Sequence, residues 1–151
     1  MNLTQGLLNR ISDMLNRDAT NYTVFLRLYE LSERYGVDDL SACIREAFGE
    51  SAEVENEEGI SVEDILVEMD ELLSYAGDSG AGPSDSVLNS REFQGLLVEL
   101  KDCTLSLAKQ ADAVKKFCFR AGHPAYPVFW DFAYAFFADG KVSILIGSSS
   151  D

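Results

Sequence analysis

The 151 residues, of which 46% are hydrophobic and 11% aromatic, have the size and composition of a folded domain and exclude overall disorder. The chain has 26 acidic and 12 basic residues, and a net charge of −14 argues against nucleic acid and anionic membrane surfaces as partners. An apolar run long enough for a membrane span and a signal-peptide pattern at the N-terminus are both missing, so neither is expected.

The acidic residues are concentrated in one part of the sequence. Between Arg45 and Arg91 there is no Lys or Arg, whereas this window holds thirteen acidic residues. The window therefore accounts for almost the whole net charge, and the rest of the chain is nearly neutral. Because mutual repulsion works against a compact state, charge this concentrated suggests solubility or the recognition of something basic.

Helical periodicity dominates the first half of the chain. Apolar residues recur at three- and four-residue spacing between Leu3 and Leu15, which predicts a first helix. A second helix is predicted from about Thr20 to Gly36, with Tyr22, Phe25, Leu26 and Tyr29 facing inward. A third is predicted to begin after Val37-Asp38 and to end at Gly49, with an apolar face formed by Leu40, Cys43, Ile44, Ala47 and Phe48.

The fourth predicted helix has the clearest signals. Ser61 is its predicted N-cap, and its buried stripe is Val62, Ile65, Leu66, Met69, Leu72 and Leu73. Its opposite face consists of Glu63, Asp64, Glu68, Asp70 and Glu71, and no base lies three or four residues away to neutralise any of them. A helix that accepts this repulsion suggests a use for the acidic face.

A long helix and a hairpin are predicted for the second half. A helical pattern begins at Ser90 and runs to about Arg120, with a break near Gln110 as an alternative. Asp139-Gly140 lies between two β-rich runs and predicts a two-residue hairpin turn. The predicted register pairs Phe137 with Val142, Phe136 with Ser143, Ala135 with Ile144, Tyr134 with Leu145, Ala133 with Ile146 and Phe132 with Gly147. Since both faces of this hairpin are apolar, it must be covered on both sides or extended by another strand.

These elements predict an α+β fold that is predominantly α, a bundle of about five helices with a C-terminal antiparallel hairpin. Residues 1–151 are expected to form one domain. A possible subdivision separates a four-helix segment, 1–76, from the long helix and hairpin, 87–151, through a flexible Gly/Ser/Pro linker, 77–86. Three cysteines without a C-x-x-C arrangement indicate reduced, buried thiols and a cytoplasmic location.

No catalytic, metal or cofactor site is predicted with recognisable spacing. His123 is the only histidine, and a structural role is favoured over general-base catalysis because no nucleophile motif accompanies it. The run 53–59 resembles an EF-hand loop in its acid content, but Glu58 stands where the sharp turn requires glycine, so a solvated acidic loop is favoured.

The charge distribution predicts a binding protein and not an enzyme. We expect a small acidic cytosolic protein that neutralises a basic protein partner, most plausibly an immunity or inhibitor protein against a nuclease-type bacterial toxin. The predicted contact residues are Glu53, Glu55, Glu57, Glu58, Glu63, Asp64, Glu68, Asp70 and Glu71. Alternatives are a secretion chaperone or adaptor for a basic client, or a small-ligand-binding protein or enzyme that uses His123, Tyr126 and Trp130. The sequence leaves the oligomeric state open, and acidity that serves only solubility remains a further interpretation.

Overall fold

A computed structural model describes residues 2–32 and 35–151 and shows a mixed architecture built on one antiparallel sheet. Its helices are α1 (Gln5–Asn16), α2 (Leu40–Phe48), α3 (Val62–Leu73), α4 (Asp85–Leu88) and α5 (Arg91–Gln110), and a 3-10 turn (Val37–Asp39) precedes α2. Its strands are β1 (Thr23–Leu31), β2 (Glu53–Gly59), β3 (Ala113–Ala121), β4 (Trp130–Ala138) and β5 (Lys141–Ser150). The strand order is β1-β5-β4-β3-β2, and every neighbouring pair is antiparallel.

The predicted helical bundle with a C-terminal hairpin is therefore wrong. The predicted second helix is strand β1, the acidic loop 53–59 is strand β2, and the long helix ends at Gln110, where the alternative break was placed. Residues after this break form β3, so the hairpin of β4 and β5 is the centre of a larger sheet.

Several local predictions are confirmed. The apolar stripe of α1 is buried, and the hydroxyl oxygens of Ser61 and Ser90 cap α3 and α5 by accepting hydrogen bonds from the Asp64 and Phe93 N–H groups. The hairpin has the predicted register at every pair. Both of its open edges are extended, β5 by β1 and β4 by β3, which meets the requirement that its two apolar faces imposed.

Both faces of the sheet are covered by helices. One face packs against α1, α3, α4 and α5 through a large core to which β4 contributes Trp130, Phe132, Tyr134 and Phe136. The other face packs against α2, whose Leu40, Cys43 and Ile44 are fully buried over the small side chains Ala133 and Ala135 of the same strand. The alternation along β4 thus assigns four aromatic residues to the thick helical layer and the two alanines, followed by Phe137, to the thin one.

The outer edge of β1 is occupied by two amide side chains of α1. Gln5 donates to the Leu26 carbonyl at 3.0 Å and accepts from the Leu28 N–H at 2.8 Å. Asn16 accepts from the Val24 N–H at 2.7 Å and donates to its carbonyl at 3.2 Å. Because each amide presents a donor and an acceptor, α1 satisfies these four backbone groups in the way that a neighbouring strand would.

The segment 77–86 forms a turn that is held by backbone hydrogen bonds. The Asp78 N–H donates to the Ala81 carbonyl at 2.8 Å, and Thr20 and Gly82 exchange two hydrogen bonds of 2.8 and 2.9 Å. Residues before this segment, in α1 and α3, and after it, in α5 and β4, contribute to the same core.

Candidate protein-binding surface

The nine carboxylates that the sequence singles out lie on two consecutive elements, four on β2 and five on α3. Together they define the β2–α3 acidic surface: Glu53, Glu55, Glu57, Glu58, Glu63, Asp64, Glu68, Asp70 and Glu71. Lys116 of β3 links the two elements, since hydrogen bonding to Glu68 and, to a smaller extent, the charge of Glu58 raise the pKa of its ammonium group. The fold thus brings strand and helix carboxylates around the same base.

Four of these nine carboxylates have a basic partner from outside the acidic window. Glu53 pairs with Arg120 at 3.6 Å, Glu57 with Lys115 at 3.2 Å, Asp70 with Lys101 at 2.7 Å, and Glu68 with Lys116. The bases come from β3 and α5, so they could not be found by looking three or four residues along the helix. Tertiary structure supplies the compensation that the local sequence lacks.

The remaining five carboxylates are exposed and form no ion pair within the part of the chain that the structure describes. They are Glu55, Glu58, Glu63, Asp64 and Glu71, which we call the unpaired set. On α3, Glu63 and Glu71 flank Val67, whose exposed fraction is 57%. This face therefore presents one apolar side chain between two unpaired carboxylates.

Glu68 points inward and is a structural residue. Its carboxylate accepts hydrogen bonds from the Tyr134 hydroxyl and the Lys116 ammonium group, so it attaches α3 to β4 and β3. Tyr134 is fully buried, and burial, followed by the hydrogen bond to Glu68, strongly raises the pKa of its phenol. The position of Glu68 three residues after the buried Ile65 was the available sequence signal for this orientation.

Strand β2 is the open edge of the sheet. It pairs only with β3, and among the described residues no other segment forms backbone hydrogen bonds with Glu53–Gly59. The strand is exposed at every position but Val54, and a bulge between Glu55 and Glu58, with Asn56 at φ 54°, interrupts its register. Charged side chains and bulges of this kind protect an edge against unspecific pairing, and acidic ones leave it attractive to a basic segment.

The three residues of the alternative site, His123, Tyr126 and Trp130, do not lie together in the structure. Trp130 belongs to the helical layer and donates its indole N–H to the Tyr22 hydroxyl at 2.6 Å. His123 and Tyr126 instead line a cavity of about 210 Å³ in the segment between β3 and β4. The predicted grouping of three residues is thus reduced to two.

His123 has a structural environment in this cavity. Its Nδ1 accepts the Ala125 N–H at 2.9 Å, so a neutral ring carries its proton on Nε2, which is buried without a hydrogen-bond partner in the described structure. The ring lies edge-on to Phe119 at 4.9 Å, and burial lowers the pKa of the imidazole. No Ser, Thr or Cys is among the described cavity residues, so the arrangement offers His123 no neighbouring nucleophile.

A second cavity, of about 370 Å³, is lined by residues 2–4, which precede α1, and by residues of α5, β1 and β5. Its wall contains Glu30 and Lys141, which pair with each other at 2.6 Å, and the buried Ser143. Because its two charges are paired, this cavity has no net charge comparable to that of the β2–α3 acidic surface.

Comparisons with protein-family models, curated proteins and solved structures gave no match for this chain. Across residues 2–32 and 35–151, no group of three or more His, Cys, Asp or Glu side chains has an arrangement that could hold a metal ion. In the same residues, no helix combines the length and apolar character needed to cross a membrane. The strongest candidate site is therefore the acidic surface, judged by its own charge and geometry.

Proposed function

We propose that this protein binds and neutralises a basic protein partner in the cytoplasm, in the manner of an immunity or inhibitor protein against a nuclease-type toxin. The observation that supports this function is the unpaired set on β2 and α3, whose five carboxylates form no ion pair with any base in residues 2–32 and 35–151. A folded chain has no structural need for five exposed carboxylates that form no ion pair among the described residues and lie on two consecutive elements.

The expected contribution of this surface is fast association. Carboxylates at the rim of an interface steer a cationic partner, and steered association reaches about 10⁸–10⁹ M⁻¹s⁻¹ at low salt. A nuclease exposes a basic cleft for its substrate, so an acidic protein that occupies the cleft competes directly with nucleic acid. The open edge of β2 adds backbone groups that an extended basic segment of the partner can pair with.

The test is association kinetics with the basic protein encoded by a neighbouring reading frame. We expect Glu55→Gln, Glu58→Gln and Glu63→Gln together to slow association at low salt and to flatten its salt dependence, with little change in dissociation. The matched control is Asp13→Asn, Glu92→Gln and Asp102→Asn, which removes the same charge from exposed positions on α1 and α5.

Equal association rates for the two triple variants would leave the acidic surface with a solubilising role only.

A measurement of the partner's nuclease activity separates the two binding functions that share this surface. An immunity protein abolishes nuclease activity of its partner at equimolar ratio, whereas a secretion chaperone or adaptor for a basic client binds with the same charge dependence and leaves folded partner activity intact.

A further inference from the structure

Tyr126 and Val128 are the most prominent apolar side chains on the segment between β3 and β4. Their exposed fractions are 85% and 56%, whereas the aromatic residues of the following strand β4 are buried. Single exposed apolar residues are common on protein surfaces, but here two lie only two positions apart on one short segment, and we call this pair the apolar patch.

The segment that carries them is held at both ends. At its start, Gly122 has φ +82° and packs so tightly that an added Cβ would lie 2.7 Å from the Ala52 Cα atom. At its end, the Val128 N–H donates to the Ser149 carbonyl at 2.9 Å.

Its interior is also constrained. The ring of His123 accepts the Ala125 N–H and contacts Phe119, and Pro124 and Pro127 fix their own φ angles. A side chain that is presented by a segment already ordered in this way costs little conformational entropy when it enters an interface.

This apolar patch is continuous with the acidic strand. Tyr126 lines the same cavity as Arg120, and the Arg120 guanidinium lies 3.6 Å from the Glu53 carboxylate at the start of β2. The Ala52 that contacts Gly122 directly precedes Glu53 in the chain. The patch therefore adjoins the N-terminal end of the β2–α3 acidic surface.

We propose that Tyr126 and Val128 form the apolar anchor of the interface with the basic protein partner and insert into an apolar pocket that Lys and Arg residues surround. This inference rests on the proposed function and adds the residues that determine how long the complex lasts. Tyrosine is enriched at interface hot spots because it buries a large apolar ring and retains a polar end. The acidic surface begins at Glu53 beside this patch, and its unpaired carboxylates farther along β2 and α3 select a basic occupant by charge complementarity.

The two surfaces thus have separable kinetic effects. Anchor residues at the centre of an interface act mainly on dissociation, whereas rim charges act mainly on association. Tyr126→Ala should raise the dissociation rate about thirty-fold, which corresponds to about 2 kcal/mol, and leave association nearly unchanged. Tyr126→Phe should retain most of the affinity, and Val98→Ala, at a position 57% exposed on α5, is the matched control.

Site-specific photo-crosslinking tests the anchor before a partner is identified. Benzoyl-phenylalanine replaces Tyr126, Glu55 or Val98 in the purified full chain, whose fold is checked by circular dichroism, and each variant is irradiated in extract of the source cells. We expect the Tyr126 and Glu55 positions to label the same basic protein, and labelling at Tyr126 to fall when Glu55, Glu58 and Glu63 are changed to Gln in that variant.

The outcomes separate the two proposals. Labelling of a basic protein from Glu55 but not from Tyr126 above the Val98 background would overturn the anchor and leave the proposed function in place. Labelling of no basic protein from either position would overturn both. A product at Tyr126 that is unaffected by the three Gln substitutions would show an apolar site unrelated to the acidic surface and would also overturn the inference.

Discussion

At the scale of single residues, Glu68 has a role different from that of its neighbours on the same acidic helix. It lies between a fully buried phenol and an ammonium group, whereas Glu63 and Glu71 face outward. Sequence reasoning gives all three the same function because it sees only helical spacing. The distinction depends on Lys116 and Tyr134, which are far away in the chain and reach α3 only through the sheet.

Charge reversal should therefore have unequal effects on stability at different positions of this helix. Glu68→Lys places two ammonium groups together and leaves the Tyr134 hydroxyl buried without its acceptor, so we expect a loss of about 1–3 kcal/mol in the free energy of unfolding. Glu63→Lys and Glu71→Lys should change it by less than about 0.5 kcal/mol. Urea denaturation of the three variants measures this, and equal stabilities would mean that the contact with Tyr134 has no structural weight.

His123 should make stability depend on pH below neutrality. Burial lowers the pKa of its imidazole from the ordinary value of 6.5, although the charge of Asp131 opposes this. The unfolded chain consequently takes up a proton more readily than the folded one. The stabilisation that comes from burying a neutral imidazole is therefore fully present above pH 6.5 and is lost as the pH falls through the folded-state pKa. We expect His123→Gln to reduce the slope of unfolding free energy against pH in this range.

Because His123 is the only histidine, the difference between wild type and His123→Gln isolates its titration from that of the carboxylates. Denaturation curves at several pH values between neutrality and about pH 5 suffice. Identical slopes for the two proteins would show that the imidazole has the same pKa in the folded and unfolded states.

At the scale of elements, the packing of β4 against β5 depends on a glycine. A Cβ at Gly147 would lie 2.4 Å from the Phe132 ring, and that ring is stacked between Trp130 at 6.0 Å and Tyr134 at 5.3 Å. Since the ring has no room to move, we expect Gly147→Ala to destabilise the protein by about 1–3 kcal/mol.

The control for this prediction is Gly95→Ala in α5, where an added Cβ would meet no atom within 4 Å. Alanine in an exposed helix interior is more favourable than glycine by about 0.8–1 kcal/mol, so this substitution should raise the melting temperature while the other lowers it. A rise for both would indicate that β5 relaxes around the new methyl group.

The elements that sequence reasoning identified correctly have strong local signals, and the others depend on their neighbours. Hydroxyl caps fix the starts of α3 and α5, and Asp139-Gly140 fixes the hairpin register. Strand β1 has a nearly continuous apolar run, with Val24 and Leu26 buried on one face and Phe25 and Tyr29 half-buried on the other, so its sequence also fits a helix. Strand β2 shows no apolar alternation because only Val54 is sheltered, which left its acidic sequence indistinguishable from a loop.

The candidate site was predictable to a similar extent. Its location on residues 53–71 follows from charge alone, and the structure places these residues on consecutive elements. Which carboxylates are paired does not follow, because Lys101, Lys115 and Arg120 belong to distant segments. Tyr126 could be named from its proline-rich context, but its separation from Trp130 required the strand alternation of the sheet.

At the scale of the whole molecule, the net charge of −14 should make stability depend on salt. The unpaired carboxylates repel one another in the folded state, and a Debye length of about 10 Å at 0.1 M salt screens this repulsion. We expect the free energy of unfolding to rise with sodium chloride, and Glu55→Gln, Glu63→Gln and Glu71→Gln together to reduce that rise.

Asp70→Asn is the informative comparison, because Asp70 is paired with Lys101 and its removal takes away an attraction instead of a repulsion. Urea denaturation over a range of salt concentrations gives the slope of unfolding free energy against salt for the triple Gln variant and for Asp70→Asn. A stability independent of salt would mean that the fold already spaces its carboxylates beyond each other's effective range.

The amide side chains along β1 also limit how many copies of the molecule can associate by pairing the edges of their sheets. Growth by edge-to-edge addition needs two open sheet edges on each molecule, and Gln5 and Asn16 occupy backbone groups of Val24, Leu26 and Leu28 on the β1 edge. Pairing through β2 alone would close as a two-fold symmetric pair, so growth beyond a pair would have to displace these amides from β1. A protein with so exposed an edge strand is in this way protected against fibrous growth at its opposite end.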